Sequence, residues 1–178
     1  MRIVAGSRKG HRIEAPKGVV TRPTGDRVRE AVFSIVGSLD GARVLDLFAG
    51  SEALGLEALS RGAAKAVFVE RDGRACRVIE QNVSKLGLGA VATVVRGDAL
   101  RALRDSADDD RRHDLVLVDA PYDEWERLEA SLSELLPAVL ADDGLVVVET
   151  SARVEPSLPL DLVTTRRYGS ARITVFSR

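Results

Sequence analysis

The stretch that decides the fold is Val44-Leu45-Asp46-Leu47-Phe48-Ala49-Gly50-Ser51-Glu52-Ala53-Leu54-Gly55. It predicts a short apolar strand, a turn of small residues and then a helix, in which Leu54, Leu56 and Leu59 keep helical spacing. At such a junction the first N–H groups of the helix and the positive end of its dipole face outward, which favours an anionic or zwitterionic ligand. Because the turn has small side chains, a ligand can approach its backbone closely. The stretch therefore predicts a ligand-binding cradle.

The chain from Arg43 onward alternates between strand patterns and helix patterns. Strands are predicted over 43–47, 65–70, 91–96, 114–119 and 144–150, and helices over 53–61, 73–86, a short segment after Asp98, and 124–139. This alternation is typical of βαβ units in a mostly parallel sheet with helices on both faces. Two strand patterns at the end, from Leu160 to Tyr168 and from Arg172 to Phe176, predict a closing antiparallel hairpin. We therefore predict an α/β domain over residues 43–178 and an N-terminal extension over residues 1–42.

The N-terminal extension is basic, whereas the rest of the chain is acidic. Residues 1–43 carry nine Lys and Arg side chains and four Asp and Glu side chains, a net charge of +5 against −6 for the remainder. Two alternating runs flank a turn that contains Arg8 and Lys9, which predicts a β-hairpin with a basic tip. A loop follows, and Thr24 or Asp26 would cap the next helix. A basic arm on an acidic body favours nucleic acid as a partner, and the alternatives are a solvated charged face or a flap over a sheet edge.

The composition limits the cellular setting and the chemistry. The 178 residues fit one medium-sized domain, and the single cysteine, Cys76, excludes an internal disulfide, which suits a reducing cytoplasm. We expect Cys76 to be a small buried residue rather than a nucleophile. His11 and His113 lie far apart in the sequence, so we expect no metal site. Since the sequence has no signal-peptide pattern and no long apolar span, we expect a cytoplasmic protein.

Four acidic residues stand at or just beyond the ends of predicted strands. They are Asp46, Glu70, Asp98 and Asp119. A divalent cation prefers oxygen ligands, but parallel strands lie about 4.8 Å apart, so carboxylates spread over four strands fit an extended ligand better. Glu70 stands near the position at which nucleotide-binding α/β folds bind the ribose hydroxyls, and Asp98 is placed for an adenine edge or a methionyl group. These roles require a ligand that contains adenosine.

Two adenosine-containing ligands compete for this site. A nicotinamide dinucleotide needs glycines beside its pyrophosphate, whereas Gly50-x-Glu52-x-x-Gly55 places an anionic side chain at the central position. S-adenosylmethionine has no phosphate, and carboxylates such as Asp46 would attract its sulfonium and ammonium groups. The sequence therefore favours S-adenosylmethionine.

A second turn, Asp119-Ala120-Pro121-Tyr122, supplies the residues for the reacting group. An exocyclic amino nitrogen is a poor nucleophile because its lone pair is delocalised into the ring. Acceptors on Asp119 and on the Ala120 carbonyl would bind both of its hydrogens and orient the lone pair toward an incoming methyl group. Tyr122 offers a face on which the base can stack, and Trp125 is either a lid over that base or ordinary helix packing.

Three blocks of the sequence resemble the RsmD family, bacterial enzymes that methylate a guanine N2 of 16S ribosomal RNA with S-adenosylmethionine. The blocks are Thr21–Glu30, Asp46–Ser51 and Ala53–Ala63. The resemblance implies a Rossmann-like class I methyltransferase fold with a seven-stranded, mostly parallel sheet and an N-terminal β-hairpin. It also implies a monomer that acts on 16S rRNA, the small ribosomal subunit or its assembly intermediate and leaves S-adenosylhomocysteine as product.

The resemblance implies three sets of site residues. The cofactor would contact Asp46, Phe48, Gly50, Ser51, Gly55, Glu70, Arg71, Asp98, Ala99 and Asp119. The target base would contact Asp119, Ala120, Pro121 and Tyr122, and the RNA would contact Arg8, Lys9, Arg22, Thr24, Asp26 and Arg27.

Two positions depart from the family pattern. Glu52 stands where the family has a glycine of the cofactor loop, and Ala120 stands where it has the first proline of the catalytic turn. Alanine keeps the carbonyl, whereas Glu52 would repel the methionyl carboxylate unless it points outward, so we predict weaker cofactor binding than is usual in the family. The alternatives are an RNA-binding or ribosome-binding protein with impaired catalysis and an amino-methyltransferase that acts on another RNA or DNA base.

Overall fold

The computed structural model describes residues 1–15, 25–50 and 54–178. Seven strands are described: β1 (Arg43–Leu47), β2 (Lys65–Glu70), β3 (Ala92–Arg96), β4 (His113–Val118), β5 (Leu140–Ser151), β6 (Asp161–Tyr168) and β7 (Ala171–Ser177). Five α-helices are described with them: α1 (Asp26–Val36), α2 (Leu54–Ser60), α3 (Gly73–Lys85), α4 (Ala99–Asp108) and α5 (Trp125–Val139). None of the helices in this part of the chain is long and apolar enough to cross a membrane.

The strands form one sheet in the order β3-β2-β1-β4-β5-β7-β6. The first five strands are parallel, and β7 pairs antiparallel with both β5 and β6. The mostly parallel α/β sheet with a closing antiparallel hairpin is therefore confirmed. The chain winds from β1 outward to β3 and then crosses to β4 and β5, so the strand order reverses between β1 and β4. In open α/β sheets, ligands bind outside the carboxyl ends of the strands at this point.

Helices cover both faces of the sheet, as the alternation predicts. On one face, α1, α2 and α3 contribute Phe33, Leu56 and Ile79 to a core that includes Leu117 of β4. On the other face, α4 and α5 pack over a second core, in which Trp125 is 1% exposed. Trp125 is therefore part of the helix packing and not a lid. At the border of the described sheet, strand β6 carries two exposed apolar side chains, Leu162 and Val163.

The N-terminal segment forms a shorter β-hairpin than the sequence predicts. Its two ends pair antiparallel at the Arg2–Arg12 bridge, where the Ile3 N–H donates to the His11 carbonyl at 3.0 Å and the Ile13 N–H donates to the Met1 carbonyl at 3.1 Å. A 3-10 turn at Gly6–Arg8 lies between these ends. The backbone N–H groups of Val4 and Ala5, which a longer hairpin would pair across strands, instead donate to the carboxylate of Glu57 at 2.8 and 2.9 Å. The contact with α2 therefore ends the strand pairing after Ile3.

The start of α1 also corrects a prediction. The N-cap residue is Gly25, which makes no side-chain cap bond, and Asp26 is the first helical residue. The Asp26 carboxylate accepts hydrogen bonds from Arg2 and from the buried Arg29, so it joins the N-terminal segment to α1 instead of capping the helix. The other predicted cap, Thr24, lies outside the described residues.

Candidate active site

A cavity of about 760 Å³ opens at the carboxyl ends of the parallel strands, on both sides of the point where the strand order reverses. This volume lies within the range of small-molecule sites. Loops after four strands and the end of β5 contribute to its wall. The predicted site residues that line it are Phe48, Gly50, Glu70, Arg71, Asp98, Ala99, Asp119, Ala120, Pro121 and Tyr122. The turns at Gly50 and Pro121 thus open onto one cleft, while the predicted cofactor residue Ser51 and its neighbour Glu52 lie outside the described residues.

Two predicted cofactor residues, Asp46 and Gly55, are hydrogen-bonded to each other and do not line the described cavity wall. Asp46 is 2% exposed, and its Oδ2 accepts the N–H of Gly55 at 2.9 Å. A Cβ atom at Gly55 would lie 2.4 Å from Cε1 of Phe68, so the glycine allows α2 to approach the sheet. In the described part of the chain, this pair fixes the start of α2, and its predicted contact with the methionyl group stays a prediction.

The turn after β1 has an unusual backbone, which Glu70 stabilises. Phe48 has φ 59° and Gly50 has φ 45°, in the left-handed region that non-glycine residues seldom adopt. Such strain is typical of functional sites. Oε2 of Glu70 accepts the N–H of Gly50 at 2.8 Å, and Oε1 accepts the N–H of Asp72 at 2.7 Å. The carboxylate predicted to bind a ribose therefore ties together the turns after β1 and β2.

An ion pair connects the loop after β2 with the start of α5. Nη2 of Arg71 lies 2.6 Å from Oε1 of Glu124, and Arg127 contacts the other oxygen of Glu124 at 2.9 Å. The hydrogen bond from Arg71 is the main reason that the pKa of Glu124 lies below its usual value. Because β1 lies between β2 and β4 in the sheet, this pair reaches across the end of β1 at the cavity.

Asp98 caps helix α4 and also lines the cavity. Its Oδ1 accepts the N–H of Arg101 at 3.0 Å, which caps α4, and the side chain remains exposed beside Ala99 at the cavity. The preceding residue, Gly97, donates its N–H to the carbonyl of Glu70 at 3.0 Å. These contacts fix the turn after β3 next to the turn after β2.

The turn after β4 contains a buried and an exposed part. Ala120 is 2% exposed and Tyr122 is 37% exposed. The Tyr122 hydroxyl donates to Oε1 of Glu149 at 3.1 Å, and Glu149, at the end of β5, is 7% exposed and also lines the cavity. Sequence reasoning missed Glu149, although it ends the apolar run of β5 as Glu70 ends that of β2. It also missed the part of the wall that α5 provides through Arg127, Leu128 and Ser131.

The predicted RNA-binding residues that the structure describes are Arg8, Lys9, Asp26 and Arg27, and they do not line the cavity wall. Nε of Arg8 donates to the carbonyl of Leu86 at 2.7 Å, whereas Lys9 and Arg27 are exposed. Asp26 binds two arginines, as described above, and Arg22 and Thr24 lie outside the described residues. RNA contact by this set stays a prediction.

Cys76 lies on α3 close to the cavity wall. It is buried, and its Sγ donates to the carbonyl of Glu70 at 3.3 Å. Burial raises the pKa of the thiol, and the charge of Glu70 raises it further. The interpretation of Cys76 as a small buried residue is confirmed. Among the residues that the structure describes, no cluster of His, Cys, Asp or Glu side chains is arranged to hold a metal ion.

Comparison with known proteins defines the family. The family model described as "Conserved hypothetical protein 95" matches residues 1–177. "Putative rRNA methyltransferase YlbH" of Bacillus subtilis is 40% identical over 183 residues, which cover 100% of this chain and 99% of that protein. "Ribosomal RNA small subunit methyltransferase D" of Escherichia coli K12 is 38% identical over 161 residues, which cover 89% of this chain and 78% of that protein. The chain belongs to the RsmD family.

Solved structures agree with this membership. The structure of "Putative methyltransferase yhhF" from Escherichia coli matches this chain with a TM-score of 0.84 and 35% identity. The match covers 100% of this chain and 97% of yhhF. An RNA methyltransferase from Salinibacter ruber, solved in complex with S-adenosyl-L-homocysteine, matches with a TM-score of 0.67 at 16% identity, covering 88% of this chain and 93% of that one. The second likeness shows the fold alone. The RsmD-family chain therefore has the Rossmann-like class I methyltransferase fold that its sequence predicts.

Proposed function

We propose that this protein transfers a methyl group from S-adenosylmethionine to the exocyclic N2 of a guanine in 16S rRNA of the small ribosomal subunit. The observation that carries the proposal is the charge of the cavity. Its described wall includes two arginines and seven carboxylates, which are Glu70, Asp72, Asp98, Asp119, Asp123, Glu124 and Glu149. A wall of this charge disfavours a pyrophosphate and favours a ligand with sulfonium and ammonium groups. The names of the YlbH and RsmD relatives support ribosomal RNA as the substrate.

The residues around the cavity fit such a cofactor. Glu70 would bind the ribose hydroxyls, Asp98 and Ala99 would contact the adenine, and the turn at Gly50 would receive the methionyl end. A Cβ atom at Gly50 would lie 3.4 Å from the Phe48 carbonyl oxygen and 4.0 Å from Glu70 Oε2, so glycine keeps the space beside the carboxylate open. When bound, S-adenosylmethionine supplies an electrophilic methyl group on its sulfonium.

The turn after β4 would position the acceptor nitrogen. Asp119 and the carbonyl of Ala120 accept the two amino hydrogens, which directs the nitrogen lone pair away from the turn and toward the methyl group. The exposed ring of Tyr122 provides a stacking surface for a base that has left its helix. After the transfer, the nitrogen releases one proton, and the Asp119 carboxylate is the acceptor placed next to it.

The test is methylation of small ribosomal subunits, isolated from cells that lack this methyltransferase, by wild type and by Asp119→Ala. We expect Asp119→Ala to lower kcat/KM on the order of 10²-fold or more, because the amino group loses a charged acceptor. Its affinity for S-adenosylhomocysteine, measured by isothermal titration, should fall far less than kcat/KM, because Asp119 is one of ten residues expected to contact the cofactor. Asp123→Ala is the matched control, since Asp123 is an exposed carboxylate on the same wall.

The modified nucleoside, identified by mass spectrometry, separates the alternatives. N2-methylguanosine supports the proposal, and a methylated adenine or cytosine would assign the enzyme to another base. Binding of the subunit without methyl transfer would select the RNA-binding alternative. Full turnover by Asp119→Ala would show that the amino group is not bound in this way.

A further inference from the structure

Glu149 and Asp119 leave the sheet side by side. Val118 of β4 pairs with Val148 of β5 in parallel register, so the next residues of the two strands, Asp119 and Glu149, are neighbours at about the 4.8 Å strand spacing. Leu117 and Val147 face the first core, and residues two positions further along a strand share that face. The two carboxylates therefore reach the cavity from adjacent strands and on one side of the sheet.

The surroundings of Glu149 are those of a positioned acceptor. The side chain is 7% exposed, it lies in an apolar strand, and it pairs across the sheet with Ile173 of β7. A carboxylate in such a place requires hydrogen-bond donors. One is the Tyr122 hydroxyl, at 3.1 Å from Oε1. The same carboxylate faces the cavity, where a bound base would present its own donors.

We propose that Glu149 determines the base specificity of this site by accepting the N1–H of the target guanine. Guanine has two adjacent donors on its Watson–Crick edge, N1–H and the N2 amino group, and these match the adjacent acceptors Glu149 and Asp119. Adenine at N1 and cytosine at N3 present lone pairs instead, which would face the Glu149 carboxylate. A site that is built to pair a particular donor rejects bases that lack it, because its own polar group is then left unpaired. This inference rests on the proposed function and names its specificity residue.

The first test uses the wild-type protein alone. An RNA that carries 2,6-diaminopurine at the modified nucleotide keeps the N2 amino group but replaces N1–H with a lone pair. We expect its methylation to be slower than that of the guanine RNA, on the order of 10²-fold in kcat/KM. Equal rates on the two RNAs would overturn the proposal, and this outcome does not depend on any variant being folded.

The second test compares Glu149→Gln with Tyr122→Phe. Glu149→Gln has the shape of the native side chain and can donate an N–H to the diaminopurine N1. We therefore expect this variant to methylate the guanine RNA more slowly than wild type does. We also expect the ratio of kcat/KM on the guanine RNA to that on the diaminopurine RNA to fall at least tenfold. Tyr122→Phe removes the hydroxyl that contacts Glu149 but keeps the ring, and we expect it to keep the wild-type preference. If both variants lower the rate equally and leave the preference unchanged, Glu149 only holds Tyr122, and the proposal is wrong.

The same experiments distinguish failure of the proposed methylation from failure of the proposed role of Glu149. If wild type makes no N2-methylguanosine at all, the proposed function fails. If wild type makes it, but neither diaminopurine nor Glu149→Gln changes the selectivity, the inference on Glu149 fails alone. Affinity for S-adenosylhomocysteine, which we expect to be the same in wild type and both variants, distinguishes a change in base recognition from damage to the cofactor site.

Discussion

Gly55 occupies a position where a single methyl group decides how α2 packs. An added Cβ would meet Phe68 Cε1 at 2.4 Å and Asp46 Oδ2 at 2.8 Å. Alanine is the better helix former by about 1 kcal/mol, but overpacking costs about 1–3 kcal/mol, and it also displaces the carboxylate that binds the Gly55 N–H. We expect Gly55→Ala to lower the free energy of unfolding by roughly 1–3 kcal/mol, as measured by chemical denaturation.

The control for this prediction is Gly89→Ala, because an added Cβ at Gly89 meets no atom within 4 Å. We expect Gly89→Ala to leave the stability unchanged or to raise it by up to about 1 kcal/mol, since alanine restricts the unfolded chain. If the two variants have equal free energies of unfolding, α2 can move away from the sheet without a loss of stability, and the prediction is wrong.

At the scale of single residues, the sequence identified carboxylates but could not assign their directions. Glu70, Asp98 and Asp119 line the cavity because each stands at the carboxyl end of a parallel strand, where the next residues turn outward. Asp46 has the same kind of position in the sequence, yet its side chain is buried against Gly55. Glu149 was missed because the sequence alone does not show that β5 pairs with β4. Only this pairing places Glu149 next to Asp119.

At the scale of elements, one side chain holds the N-terminal segment on α2. The Glu57 carboxylate is fully buried, accepts the N–H groups of Val4 and Ala5, and pairs with Arg61 at 2.8 Å. Removing it leaves these donors in an apolar contact. We expect Glu57→Ala to lower the free energy of unfolding by about 3–5 kcal/mol, and the amide hydrogens of Val4 and Ala5 to exchange faster than in wild type.

Glu134→Ala provides the comparison, since Glu134 is an exposed carboxylate on α5. We expect its stability to stay within about 0.5 kcal/mol of wild type. Unchanged exchange at Val4 and Ala5 in Glu57→Ala would indicate that the segment is held by its apolar contacts.

Elements with a strong internal pattern were predicted well. The bounds of β1 and β2 agree with the prediction, because each contains a short cluster of apolar residues that begins after a charged residue, Arg43 or Lys65. The N-terminal hairpin is shorter than alternation predicts, because the N–H of Val4 donates to Glu57, an acceptor more than fifty positions away in the sequence. Strand β5 begins at Leu140 instead of residue 144, because the acidic stretch before Gly144 continues the strand past an irregularity in its pairing with β4.

At the scale of the whole molecule, RNA binding should depend on salt through the N-terminal side. Lys9 and Arg27 are exposed there, and each phosphate contact contributes about 0.7 to the slope of log K against log salt for single-stranded RNA. We expect the double variant Lys9→Ala and Arg27→Ala to reduce this slope by about 1.4, as measured by filter binding of 16S rRNA fragments over a range of salt concentrations.

The matched control removes two arginines from α4, on the other face of the sheet. Arg101 and Arg104 are exposed, and we expect the variant that replaces both by alanine to keep the wild-type slope. An equal reduction in both double variants would show that the charge acts over the whole surface and not through a particular face.

The fold of the whole molecule could be predicted because the alternation of strands and helices leaves few topologies once crossovers are right-handed. The cavity could be located for the same reason, as it follows from the order of the strands. Its detailed wall could not be predicted. The contribution of α5 through Leu128 and Ser131, and the ion pair between Arg71 and Glu124, depend on how far α5 approaches the loop after β2.

The outer strand β6 has a consequence for how the protein behaves in concentrated solution. Its side chains Leu162 and Val163 are 60% and 51% exposed at the border of the described sheet, where the backbone can template strand addition by another copy. Arg166 and Arg167 on the same strand place positive charge beside these apolar side chains, although Arg167 also lies 3.8 Å from Glu155. Two copies carry the same positive charge at this border, and salt screens charge repulsion beyond about 10 Å at 0.1 M, so we expect self-association to increase as the ionic strength rises.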